Sequence, residues 1–225
     1  KHGLPKMGGG DWNDGMNKIG IQGLGESVWL GFFFYDLLER FIQITKIYNP
    51  NLDISRYQEA REKLKNHLNK DAWDGEYYLR AFFDNGEAVG SLHSEECKID
   101  LISQSFSFLS SVVPTERKQS VLRAVEHQLV DKKTGIVKLL TPAFKNSKNY
   151  PGYIMDYPVG VRENGGQYTH SVAWYIMALL KENRFDDAYE IYQMVNPIQH
   201  SKTDKEVETY MVEPYVIAAD IYSNP

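Results

Sequence analysis

Residues 26–48 read ESVWLGFFFYDLLERFIQITKIY, and this stretch decides the architecture. Val28, Trp29, Phe32, Phe33, Tyr35, Leu37, Leu38, Phe41, Ile42 and Ile44 recur at helical spacing and spread wide enough for a buried helix. Asn49-Pro50-Asn51 ends it, because a residue before proline avoids the helical region. The next helix, about Ser55 to Leu68, is polar on one face. A long inner helix followed by a more polar outer one makes a hairpin, and the pairing recurs downstream.

Trp73-Asp74-Gly75 and Asp84-Asn85-Gly86 are turn signals around a short apolar run, Tyr77 to Phe83, that reads as a strand or extended segment. Helices follow at about Ile99 to Val113 and, after Pro114, from a Thr115 N-cap to about Val130. Asp131 to Gly135 is a turn, Val137 to Leu140 is short and extended, and Thr141 to Gly166 is a long irregular segment of the kind that carries function. The last helices are expected at about Tyr168 to Glu182, Phe185 to Val195 and Lys205 to Tyr222, the final one kinked or broken at Pro214. Hairpin starts lie roughly 70 residues apart rather than the ~34–47 of TPR or HEAT arrays, so this is no solenoid. Long connections fall on one side, which suits a mainly all-α toroid of helical hairpins with its site at one mouth. Roughly three and a half hairpins would not close such a ring.

The chain has 225 residues, 42% hydrophobic and 24% charged, an ordinary globular composition that argues against disorder. Its net charge of -5 leaves no basic excess for nucleic acid. No stretch reaches the ~18 consecutive apolar residues of a membrane span. Cys97 is the single cysteine, which removes any intramolecular disulfide or Cys-based zinc cluster, fits a reducing compartment and makes a cytoplasmic location the expectation. The sequence starts at Lys1 with no charged-then-apolar leader, so it is expected to be part of something larger.

Three segments could carry chemistry. Residues 8–17, GGGDWNDGMN, combine glycines that admit a ligand close to the backbone with two carboxylates flanking a tryptophan able to stack on a sugar ring. They form neither an EF-hand, since Met16 and Gln22 occupy the positions of its turn glycine and final glutamate, nor a P-loop. The plain alternative is a helix start N-capped by Asp14 or Asn17. Residues 160–170, GVRENGGQYTH, close the long loop and open a helix. Arg162 or His170 could bind an anion there and Glu163 could grip sugar hydroxyls or act as a base; the alternative is a capped helix start with His170 bonded to backbone. Residues 90–100 again join a loop to a helix, but Cys97 has no obvious His partner and is not expected to be a nucleophile. His2, His67, His93, His127 and His200 lack metal-ligand spacing, and no Gly-x-Ser-x-Gly elbow occurs, so neither a metal site nor a serine hydrolase triad is expected.

At these residues a specific resemblance emerges. GDWNDGMN (10–17), GESVWL (25–30) and RENGGQYTH (162–170) resemble the inverting glycoside phosphorylases of glycoside hydrolase family 94, which includes cellobiose and chitobiose phosphorylases and the C-terminal part of cyclic β-1,2-glucan synthases. The last group is the most similar, through residues 8–17 and YPVGVRENGGQYTH (157–170), with weaker likeness at 78–105 and 212–225. The resemblance implies a partial (α/α)6 barrel with long irregular loops at one mouth. It makes residues 1–225 the C-terminal part of a catalytic domain whose β-sandwich and first hairpins are absent. A segment completing the phosphate site would follow residues 223–225.

It also implies roles: Asp14 as general acid, Trp12 lining the donor sugar, Glu163 and Asp11 among the sugar contacts, His170 on phosphate, and Glu213 near the donor sugar. No cofactor is implied, inorganic phosphate being a co-substrate. Phosphate is already an anionic nucleophile, so one acid suffices where a hydrolase needs an acid and a base. That acid must be protonated at working pH, which calls for burial or a like charge, Asp11 or Glu163 being the candidates to supply it. The expected reaction is phosphorolysis of a β-glucoside, perhaps β-1,2-glucan, to an α-sugar 1-phosphate. The alternatives are an inverting (α/α)6 glycosidase and a non-catalytic carbohydrate-binding remnant. The partners expected are an oligosaccharide, phosphate and the rest of a parent chain. By itself the chain is expected to be inactive and to self-associate through hairpin faces that normally meet neighbours.

Overall fold

Three helical hairpins stand side by side in the computed structural model, which describes residues 1–222. The segment expected after residues 223–225 lies outside the described residues. The hairpins are α1 (Val28–Tyr48) with α2 (Ser55–Asp71), α3 (Leu101–Leu109) with α4 (Thr115–Gln128), and α5 (Thr169–Lys181) with α6 (Phe185–Val195). Helix α3 packs against both α1 and α5, and each outer helix backs its own inner partner. The fold is thus mainly α, an arc with α1, α3 and α5 as its inner row and α2, α4 and α6 outside. This is the two-layer order of an (α/α)6 barrel. No helix among the described residues is long and apolar enough to cross a membrane.

Local sequence explains the row. Ser27 caps α1, its Oγ accepting from the Leu30 N–H at 3.0 Å. Val28, Phe32, Tyr35, Leu38 and Ile42 then form the buried stripe, and Asn49 ahead of Pro50 ends the helix. Asp100 caps α3 by accepting from the Ile102 N–H at 3.0 Å. Residues 101–108 of α3 are all buried, as befits a helix flanked on two sides. Ser105 and Ser107 in the helix and Ser110 at its C-cap donate their hydroxyls to carbonyls three or four residues back. Being small, they let the central helix lie close to α5.

Among the described residues, nine two-residue strands stitch the ends. β1 (Glu26–Ser27), β2 (Ala81–Phe82) and β3 (Ala88–Val89) form an antiparallel patch. β4 (Ile99–Asp100) leads into α3, β5 (Val130–Asp131) and β6 (Ile136–Val137) pair with each other, and β7 (Leu140–Thr141) returns to β4. β8 (Gln167–Tyr168) leads into α5 and pairs with β9 (Asp220–Ile221). Each inner helix is therefore entered from a short paired strand, which anchors its N-terminal end where the long loops gather.

The Tyr77–Phe83 run, expected as a strand or extended segment, forms a strand at Ala81–Phe82, and Tyr77 and Tyr78 are fully buried. Three other sequence expectations change. Thr115 is the first residue of α4 and not its cap; Pro114 holds the cap position with no side-chain bond. Helix α3 stops at Leu109, short of Val113. The last helix, α7 (Asp204–Tyr210), stops twelve residues before Tyr222, because Met211 turns left-handed at φ 60° and Pro214 cannot resume it.

Candidate active site

Residues 8–17 fold as a loop over the entry to α1 and end in a single 3-10 turn, Asp14–Met16. Asn13 caps that turn, its Oδ1 accepting from the Gly15 N–H at 3.0 Å. The cap is therefore neither Asp14 nor Asn17. Asn13 is itself fixed by Asp11, whose Oδ1 accepts the Asn13 N–H at 3.0 Å. A second 3-10 turn, Tyr153–Asp156, packs on the first. The approach is so close that a Cβ on Gly152 would sit 2.3 Å from Asn17 Oδ1, at a φ of 127°.

The two aspartates of this loop face opposite ways. The Asp14 side chain is exposed, whereas that of Asp11 is fully buried. Both Asp11 oxygens accept from Arg80 at 2.6 Å, and Ser27 Oγ donates to Oδ2 at 2.5 Å. Burial raises the Asp11 pKa, but the Arg80 charge and these bonds outweigh it and hold the carboxyl below the usual range. Asp11 was expected to touch sugar; its lone pairs are instead committed to the protein. Nor can it lend Asp14 an uncompensated like charge, since Arg80 balances it.

On the mouth side, Trp12 meets the rings of His170, Tyr168 and Trp174 edge-on, at 4.7, 5.5 and 5.6 Å between centroids. His170 lies in the first turn of α5 and is exposed; no backbone hydrogen bond holds its ring among the described residues. Partial burial pushes its pKa down, against an opposing pull from the Glu163 charge, which favours the neutral imidazole. Tyr153 joins the aspartate side to the glutamate side. Its phenol pKa is raised by burial first, then by the charges of Asp14, Tyr157 and Glu163. Arg162 Nε lies 3.6 Å from Glu163 Oε2, and its guanidinium sits 5.2 Å from the Tyr157 ring centre. Glu163 Oε2 is buried and has no hydrogen-bond partner among the described residues.

The profile of the glycosyl hydrolase 94 superfamily catalytic domain matches residues 1–225. This chain belongs to the glycosyl hydrolase 94 superfamily. Among curated relatives, the chain is 43% identical over 221 residues to the cyclic β-(1,2)-glucan synthase NdvB of Rhizobium meliloti, covering 98% of this chain and 8% of that protein. It is 32% identical over 208 residues to the solabiose phosphorylase of Paenibacillus borealis, covering 89% of this chain and 27% of that enzyme. With the N,N'-diacetylchitobiose phosphorylase of Vibrio proteolyticus it shares 28% over 207 residues, 91% of this chain and 25% of the relative. The chain thus spans no more than about a quarter of these relatives' length.

In this glycosyl hydrolase 94 chain the structure gathers Trp12, Asp14, Glu163 and His170 at one mouth, places Asp11 behind them and leaves Glu213 apart. Glu213 is exposed on the turn after α7, and no side-chain contact joins it to the cluster among the described residues. Three contributors go beyond the sequence expectations. Tyr153 and Tyr157 lie four apart in the irregular 141–166 segment, where no periodicity marks them. Arg80 carries a legible signal: a lone cation inside the apolar run YYLRAFF must either be exposed or have a buried counter-charge. Cys97 is buried, its thiol pushed well up by desolvation, in line with an inert role.

Proposed function

We propose that this chain supplies the acid-bearing half of an inverting glycoside phosphorylase site acting on a β-glucoside, with β-1,2-glucan the first substrate to try. The observation that carries the reading is one mouth holding an exposed carboxylate on an anchored loop, Asp14, opposite a histidine, an arginine and a stacking tryptophan. The family and the names of the relatives support it. Trp12 lines the donor sugar and Glu163 accepts from its hydroxyls. His170, neutral and at the start of α5, donates to a phosphate oxygen, where the helix end also favours an anion.

The chemistry is a single displacement. A phosphate oxygen attacks the anomeric carbon from the face opposite the glycosidic bond, that bond breaks, and the Asp14 proton goes to the departing oxygen. The products are an α-sugar 1-phosphate and a shortened glycan, and no base is consumed. Asp14 must be protonated when attack begins, and a sugar seated over this exposed carboxyl supplies the desolvation that favours the neutral acid.

The chain is read as half of the six-hairpin ring, the C-terminal part of the catalytic domain. The exposed apolar face of α1, including Phe33, Leu37, Phe41 and Ile44, then meets either further hairpins of the parent polypeptide or another copy. The function is tested by incubating β-1,2-glucan with a polypeptide in which this chain is completed by the remaining hairpins of the ring, with and without inorganic phosphate, and following products by phosphorus and proton NMR. An α-configured sugar phosphate that requires phosphate is expected. Free sugar released equally without phosphate would instead mark a hydrolase using Glu163 or another carboxylate to activate water.

A further inference from the structure

We infer that Arg80 is the positioning residue of this site: buried under the 8–17 loop, it sets where Trp12 and Asp14 stand by gripping Asp11. The inference rests on the reading of Asp14 as the acid, but its geometry is independent of that reading. The Arg80 side chain is 0% exposed, in the middle of an apolar run. It offers a two-pronged bond to Asp11, and its Nε lies 3.3 Å from Asp100 Oδ2. Each carboxylate is committed elsewhere as well. Asp11 accepts from Ser27 Oγ, whose own oxygen caps α1, while Asp100 caps α3. One guanidinium therefore ties together the loop, the first turn of α1 and the first turn of α3.

The link to the chemistry is short. Asp11 precedes Trp12 directly and fixes the Asn13 N–H, and Asn13 in turn caps the 3-10 turn that begins at Asp14. Any slip of Asp11 passes to the acid through three residues of turned backbone. Reacting groups must be held tightly, since a misplacement of about 1 Å can cost roughly 100-fold in rate. Lysine cannot replace this grip, because an ammonium has no planar fork to match both oxygens of a carboxylate. Gly90 lets the backbone that carries Arg80 pack closely: a Cβ there would lie 2.5 Å from the Arg80 backbone nitrogen.

The test compares Arg80→Lys and the milder Asp11→Asn with the unmodified protein, in this chain and in the longer polypeptide where it is part of one. Amide hydrogen exchange is read along the chain, and steady-state phosphorolysis of β-1,2-glucan is measured against inorganic phosphate. Faster exchange at residues 8–17, reaching at most the first turns of α1 and α3, with α5 unchanged, is expected for both variants. Arg80→Lys is expected to lower kcat roughly 100-fold while KM for phosphate stays put, as misplacement of the acid alone would do. Unchanged exchange at 8–17 overturns the inference, as does exchange that rises everywhere together with a loss shared by kcat and KM. If the unmodified protein forms no sugar phosphate yet Arg80→Lys still loosens 8–17, the anchor stands and the phosphorolysis reading falls.

Discussion

Two loops present chemistry at the same mouth, and they are anchored by opposite means. The 8–17 loop is held from below by charge: Asp11 and Asp100 share the buried Arg80. The 160–170 loop is held by neutral amides. Asn164 Oδ1 accepts from the Phe144 N–H at 2.7 Å, and its Nδ2 donates to the Phe144 and Tyr157 carbonyls, each at 2.9 Å. Gln167 Oε1 accepts from the Val137 N–H at 2.9 Å. An amide satisfies donors and acceptors with no net charge to desolvate, whereas an ion pair fixes direction more firmly at a large desolvation cost. The difference places strong, pH-dependent anchoring under Asp14 and pH-independent anchoring under Glu163 and His170.

Removing one partner from each anchor exposes that contrast. Arg80→Met leaves two buried carboxylates without their cation and is expected to cost about 3–5 kcal/mol in urea unfolding, the largest effect in the molecule. Asn164→Ala strands one buried N–H and two carbonyls, for a loss of about 1–3 kcal/mol that is the same at pH 5 and pH 8. A larger loss at Asn164 than at Arg80 would reverse the assignment of the stronger anchor.

A gentler probe acts on proton balance. Arg80 serves Asp11 at 2.6 Å twice but reaches Asp100 only at 3.3 Å, and Asp100 Oδ2 has no hydrogen-bond partner among the described residues. Burial therefore wins at Asp100 despite the Arg80 charge and raises its pKa from 3.8 to about 6. A carboxyl raised in the folded chain favours folding at low pH, and that contribution is lost as pH climbs toward its folded value. Asp11, held low, acts the other way: its contribution is present above the usual carboxylate range and lost as pH falls through its depressed value. Asparagine at position 100 can still cap α3. Asp100→Asn is thus expected to keep the fold and to gain stability relative to the parent as pH rises from 3.8 to about 6. Parallel stability curves for the two proteins would contradict a raised Asp100 in the folded chain.

The contrast between the loops also marks what a sequence can reveal. The hairpin row is legible in residues 26–48 and its echoes because buried helices repeat their spacing. The two motif loops stand out through clustered glycine, acid and aromatic residues. Which side of the loop each acid faces is invisible in that clustering: Asp11 and Asp14 differ only by tertiary context, one gripped by a residue 69 positions away. Tyr153 and Tyr157 escape for a similar reason, since an irregular segment has no period to reveal its inward face. The long final helix fails because helical spacing up to Tyr222 conceals the left-handed turn at Met211.

The central claim is that the charge-anchored loop presents Asp14 as the proton donor. Its most direct test is the leaving-group dependence of Asp14→Asn in the phosphate-dependent reaction. With an oligosaccharide, whose departing oxygen needs a proton, the rate is predicted to fall about 10²–10⁴-fold. With a dinitrophenyl β-glucoside, whose dinitrophenolate leaves without a proton, it is predicted to stay close to that of the unmodified protein. Equal losses on both substrates, or no loss on the oligosaccharide, would contradict the account.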